Sequence, residues 1–175
     1  MDCRDRGDLF QRKVISSFTS HNLNSHQTST CVVSCFDFRV QPETAKFQKA
    51  IGVELHDPLT IPGGIKSIND SETEELMKKW LGVSYHGHNV RKFVLIAHSN
   101  CLAYAEECKD LSDFLEFLFH QNELRKAADK ILSWFPDAET KLYYAFLDKE
   151  ECCTKFREVS LTDPVSIVVT ETTAV

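Results

Sequence analysis

Two short apolar runs constrain this chain most, because each ends in a cluster of metal-ligand chemistry. Cys31-Val32-Val33 leads into Cys35-Phe36-Asp37-Phe38-Arg39. Phe93-Val94-Leu95-Ile96-Ala97 leads into His98-Ser99-Asn100-Cys101. Runs of this kind, rich in Val, Ile and Phe, read as buried strands. Both clusters therefore sit where a strand ends. In an open parallel α/β sheet, that end is where ligands bind.

Alternate residues of a strand share a face, so Cys35, Asp37 and Arg39 are expected on one side and Phe36 and Phe38 on the other. His98 and Cys101 lie three apart, a spacing that a turn opening into a helix brings side by side. Two thiolates and one imidazole suit zinc. A closed structural zinc site takes four protein ligands, whereas three leave a position for water or substrate.

A C-x-D-x-R element followed by H-x-x-C, with Pro62-Gly63-Gly64 between them, resembles the β-class carbonic anhydrases. The resemblance spans about 31–101 and depends on both half-motifs together. It implies an α/β domain with a mostly parallel central sheet flanked by helices. It implies one zinc ion held by Cys35, His98 and Cys101, and reversible hydration of carbon dioxide to bicarbonate. Asp37 would accept a hydrogen bond from the metal's water while paired to Arg39, or swing in as a fourth ligand. Gly63 and Gly64 would let the backbone approach a small substrate, or would serve only as a turn needing positive φ. The family's dimers, or multiples of dimers, are implied too, with the pocket at the subunit boundary.

The chain also departs from the family pattern. Ala97 and Leu102 stand where Gly is usual, and Phe36 and Phe38 where small polar residues are common. These departures motivate two further readings. One is a zinc-binding protein of the same fold without catalysis. The other is a hydrolase of carbonyl sulfide or carbon disulfide on the same site.

The rest of the chain reads as a single domain over 1–175. Leu9, Phe10, Val14, Ile15 and Phe18 pattern a helix at 7–20, part of an arm and loop over 1–27. Pro42 opens a helix to about Ala50, and Gly52 ends it. A strand is expected near 59–61, and a helix starting at 69–71 and running to Gly82 or Tyr85. Another strand follows at 92–97, then a helix from Cys101 to about Cys108. Ser112 or Asp113 caps a long helix to Trp134, stopped by Pro136. Strands are expected at 141–147, 156–161 and 165–170. The β–α–β alternation favours a largely parallel sheet.

Composition narrows the partners. A net charge of −6 without a basic patch argues against nucleic acid or an anionic membrane as partner. A small anionic substrate stays compatible, since one arginine can bind it. The charged start, Met1-Asp2-Cys3-Arg4-Asp5-Arg6, argues against a secretory signal, and its acids against a transit peptide. No run is long enough to span a bilayer. Seven scattered cysteines favour free thiols in a reducing, cytoplasmic compartment over a disulfide framework. His56, His86 and His88 are candidate proton shuttles, because imidazole titrates near neutrality.

Overall fold

A computed structural model describes residues 25–162. The helix expected at 7–20 and the strand expected at 165–170 lie outside the described residues. Among the described residues, five strands form one sheet: β1 (Thr30–Cys35), β2 (Asp57–Ile61), β3 (Lys92–His98), β4 (Glu139–Asp148) and β5 (Cys153–Val159). Their spatial order is β2-β1-β3-β4-β5. The first four run parallel, and β5 returns antiparallel along β4. β1 and β3 are central neighbours, with Val33 opposite Leu95 and Ser34 opposite Ile96. Both therefore end at the same edge of the sheet, and both candidate clusters lie there.

Among the described residues, four α-helices cover the sheet unequally: α1 (Gln41–Ala50), α2 (Lys66–Asn69), α3 (Glu74–Gly82) and α4 (Asp113–Trp134). On one face, Ile68 of α2, Met77 and Leu81 of α3, and Leu124, Ala128 and Ile131 of α4 pack on Val33, Phe93, Leu95 and Leu142. On the other face, Phe47 and Ile51 close over Val32, Val94 and Ile96, and Phe47 stacks on Phe156 at 4.1 Å. The β1 and β3 side chains are buried on both faces, which is why their sequences are continuous apolar runs rather than alternating ones.

Local signals explain most element ends. The Ser112 hydroxyl accepts from the Leu115 amide and caps α4. Gly52, at φ +75°, turns the chain out of α1. Three expectations need correction. The stretch after Cys101 is a single 3₁₀ turn, Leu102–Tyr104, followed by turns. Between Leu102 and Ser112 only Tyr104 is buried, too narrow an inward stripe to hold a helix, and Asp110 takes φ +62°. Asn69–Ser71 does not start a helix. Asn69 ends the short α2, Thr73 Oγ1 donates to the Ser67 carbonyl, and α3 begins only at Glu74. Finally, α3 runs on into a π-helical turn, Val83–Gly87, past the expected end at Gly82 or Tyr85.

Candidate metal centre

The end of β1 brings the first cluster to the sheet edge. Pairing with β2 stops at Cys35 opposite Ile61, and the Phe36 amide still donates to the Ile61 carbonyl. The chain then turns, with the Val40 amide bonding back to the Asp37 carbonyl. The alternation expected for 35–39 is therefore not kept. The pleat has ended, and Cys35, Phe36, Asp37, Phe38 and Arg39 all line one cleft of about 980 Å3.

The end of β3 supplies the second cluster. Ser99 extends the parallel register: its amide donates to the Ala145 carbonyl and its Oγ accepts from the Leu147 amide. Asn100 then takes φ +56°, a left-handed conformation that Asn tolerates better than most residues. This sharp turn brings Cys101 back beneath β1.

The result is a compact set of donors. One ligand atom each of Cys35, His98 and Cys101 lies within 4.8 Å of the others, and all three residues are buried. The two Sγ atoms are 3.8 Å apart. That is far beyond a disulfide of about 2.05 Å. It is the separation expected of two thiolates about 2.3 Å from one tetrahedral zinc. His98 Nδ1 lies 2.9 Å from the Ser99 carbonyl, an acceptor only, so Nδ1 carries the proton. The lone pair is thereby left on Nε2, which is buried and has no hydrogen-bond partner. Such an orphaned acceptor beside two thiols fits a metal, and the carbonyl contact is the usual orienting partner of a metal-binding histidine.

The hydrogen bond from Cys101 pulls the Cys35 thiol well below its usual range, against the cost of burial. The resulting negative sulfur and burial push Cys101 up. Without a cation the pair favours a single thiolate. A dication would remove the obstacle to the second.

Asp37 and Arg39 form a closed pair beside this set. Arg39 Nη2 donates to Asp37 Oδ2 at 2.6 Å, Nε donates to Oδ1 at 3.0 Å, and the Arg39 amide also reaches Oδ1. These bonds hold the Asp37 carboxyl down at about 2, against partial desolvation. Arg39 also donates to the Asn100 carbonyl at 2.8 Å and to Asn100 Oδ1 at 3.1 Å. Asn100 and Ser99 thus position the site, roles that sequence reasoning missed. Their only signal was their place between two ligand-type residues.

The glycines divide. Gly63 lines the cleft, and a Cβ there would meet Ala103 Cβ at 2.9 Å. Gly64, at φ +56°, packs against β1 itself, where a Cβ would lie 2.9 Å from the Ser34 carbonyl carbon and 3.0 Å from the Cys35 amide nitrogen. Its close approach is to the protein backbone. Of the shuttle candidates, His88 pairs with Asp57, the first residue of β2, and none of His56, His86 and His88 lines the cleft.

A family model described as "Putative carbonic anhydrase" matches residues 25–153. An uncharacterized protein from Rickettsia conorii is 29% identical over 150 residues, covering 80% of each chain. One from Rickettsia bellii is 27% identical over 150 residues, covering 80% of this chain and 91% of the other. The carbonic anhydrase of Streptococcus mutans shares the fold with a TM-score of 0.53 at 20% identity, covering 82% of this chain and 88% of that one. The β-carbonic anhydrase isoform I of Trichomonas vaginalis does so with a TM-score of 0.53 at 16% identity, covering 82% and 87%. At these identities the two solved structures bear on the fold alone.

Proposed function

We propose, from the premise that the chain belongs to this carbonic anhydrase family, that it catalyses the reversible hydration of carbon dioxide to bicarbonate and a proton with one zinc at Cys35, His98 and Cys101. The observation that carries this reading is the buried, unpartnered Nε2 of His98 beside two sulfurs 3.8 Å apart. A bound zinc ion would supply the Lewis acidity that makes water nucleophilic near neutral pH.

The chain's own residues do the rest. Ionised Asp37 is an acceptor at the cleft wall, so it orients a water proton away from the reacting lone pair. Arg39 fixes that carboxylate by its fork of bonds, and Asn100 fixes Arg39 in turn. The pairing of Asp37 with Arg39 supports an open site rather than one closed by Asp37. Phe36, Phe38 and Leu102 give the cleft an apolar mouth, which suits an uncharged substrate with little hydration to lose. Gly63 leaves the loop side of the cleft free of a side chain.

That apolar mouth also favours a second reading in which carbonyl sulfide or carbon disulfide is the substrate. No helix among the described residues is long and apolar enough to cross a membrane. The six described cysteines are free, which supports a reducing compartment such as the cytoplasm. Zinc content and stopped-flow carbon dioxide hydration measured on one preparation test the reading. Bound zinc with no hydration from neutral to alkaline pH overturns it, and sulfide release from carbonyl sulfide in that case selects the second.

A further inference from the structure

A second donor set stands on the wall of the same cleft. Glu116 and His120 are four apart on α4 and therefore share a face. Cys108 reaches them from the turns before α4. One ligand atom from each of the three lies within 4.8 Å of the others. His120 is fully buried, and aromatic rings hold it in place: Tyr104 lies edge-on at 4.9 Å and Phe119 at 5.4 Å.

The contacts are poor hydrogen bonds. His120 Nε2 is 3.7 Å from Glu116 Oε1, beyond the usual N–H···O range, and 4.0 Å from Cys108 Sγ. Nδ1 has no partner at all. A buried imidazole nitrogen that faces two donors without a short bond is costly to the protein, and a cation at Nε2 would give it one. The 3.7 and 4.0 Å spacings, however, are only a few tenths of an ångström wider than the edges, about 3.3–3.8 Å, of a ligand tetrahedron whose bonds are about 2.0–2.3 Å, so a small closure would seat an ion.

We infer that Cys108, Glu116 and His120 form a second site for a zinc-class divalent cation. A thiolate, a carboxylate and a neutral imidazole carry two negative charges, so a dication leaves the buried cluster neutral. Glu116 is already oriented: its Oε1, which lies 3.7 Å from His120 Nε2, accepts from the Asn100 amide at 2.6 Å and keeps a second lone pair for a metal. Three protein ligands leave a fourth position for water, and both Cys108 and Glu116 face the cleft. The cation's task would be to neutralise the α4 side of the cleft and hold the turns carrying Cys108 against that helix. The inference stands on its own donors and does not require zinc or activity at Cys35.

Zinc stoichiometry of the full chain decides it, by elemental analysis after loading with zinc salt alone and removing the unbound excess. Two equivalents are expected for the wild type. One is expected for C108A, one for C101A and none for the double variant. Cobalt substitution gives an independent readout, because loss of one of three thiolates lowers the sulfur-to-cobalt absorbance by about a third in C108A. E116Q, with its volume preserved, carries the test if C108A fails to fold by circular dichroism. A wild type with a single zinc that folded C108A or E116Q retains overturns the second site. Loss of all zinc from both folded C108A and folded C101A overturns it too, since one ion would then be shared.

Discussion

Arg39 Nη2 donates to the Asn100 carbonyl at 2.8 Å, joining the two strand ends that carry the ligand-type residues. The same guanidinium holds Asp37, so one side chain couples the carboxylate of the first cluster to the turn of the second. Removing it frees both.

Arg39→Ala is therefore expected to keep the zinc of the Cys35 cluster and to lower turnover by about 10–100-fold, the usual cost of losing an orienting partner near a metal. Asp37→Asn should do the same by replacing the acceptor. Stopped-flow hydration with zinc analysis on the same samples checks both. Wild-type turnover in both would remove the pair from the mechanism.

The depressed Asp37 carboxyl has a pH consequence whose sign is fixed. Its folded pKa is about 2, below the unfolded value of about 3.9. It contributes stability that is complete above the unfolded value and is lost as pH falls toward 2. The stability gap between wild type and Asp37→Asn, from urea unfolding in the presence of a chelator, should shrink between pH 5 and pH 2.5. A gap independent of pH would mean that the carboxylate is not held by Arg39.

Much of this was legible because the decisive features are local. A Val/Ile/Phe run marks a central strand wherever it occurs, and β1 and β3 were readable from their own residues. The 35–39 alternation was not, because it assumed a pleat that ends at Cys35, where pairing with β2 ends. The turn at Leu102–Tyr104 was missed because residue spacing alone cannot tell one inward turn from a helix. Asn100, Ser99 and Glu116 were invisible as positioning groups because their partners, Arg39, Leu147 and Asn100 respectively, are brought near only by folding.

Replacing Cys35, His98 or Cys101 by Ala should remove the zinc equivalent at that cluster. It should also lower the zinc-dependent part of the melting temperature, since a metal bound only by the native state adds to folding free energy. Elemental analysis and melting with and without zinc check this. A Cys101→Ala protein with undiminished zinc would show that Cys101 is not a ligand.

Gly64 offers a different route to the same centre. Gly64→Ala adds left-handed strain of about 1–2 kcal/mol and drives a Cβ against the Ser34–Cys35 backbone. Gly52→Ala has the same kind of positive φ with nothing within 4 Å, so it isolates the strain. Gly64→Ala should lose more stability than Gly52→Ala and weaken zinc binding, whereas Gly52→Ala should leave zinc affinity unchanged. Equal losses in chelator-competition and urea titrations would show that Gly64 does not support Cys35.

The cleft mouth argues for a second subunit. Phe38 and Leu102 are 82% and 83% exposed, and Phe36 beside them is 57% exposed. Three large apolar side chains at one opening are more than scattered surface residues, and such a patch marks an interaction surface. A two-fold dimer would cover the same patch on both chains and would put each cleft at the boundary. Light scattering at micromolar concentration is expected to give at least twice the mass of one chain. Phe38→Asp with Leu102→Asp should shift it toward the monomer, because two charges cannot be buried there without partners. A wild-type monomer that binds zinc and hydrates carbon dioxide would overturn the dimer and leave the apolar mouth to the substrate alone.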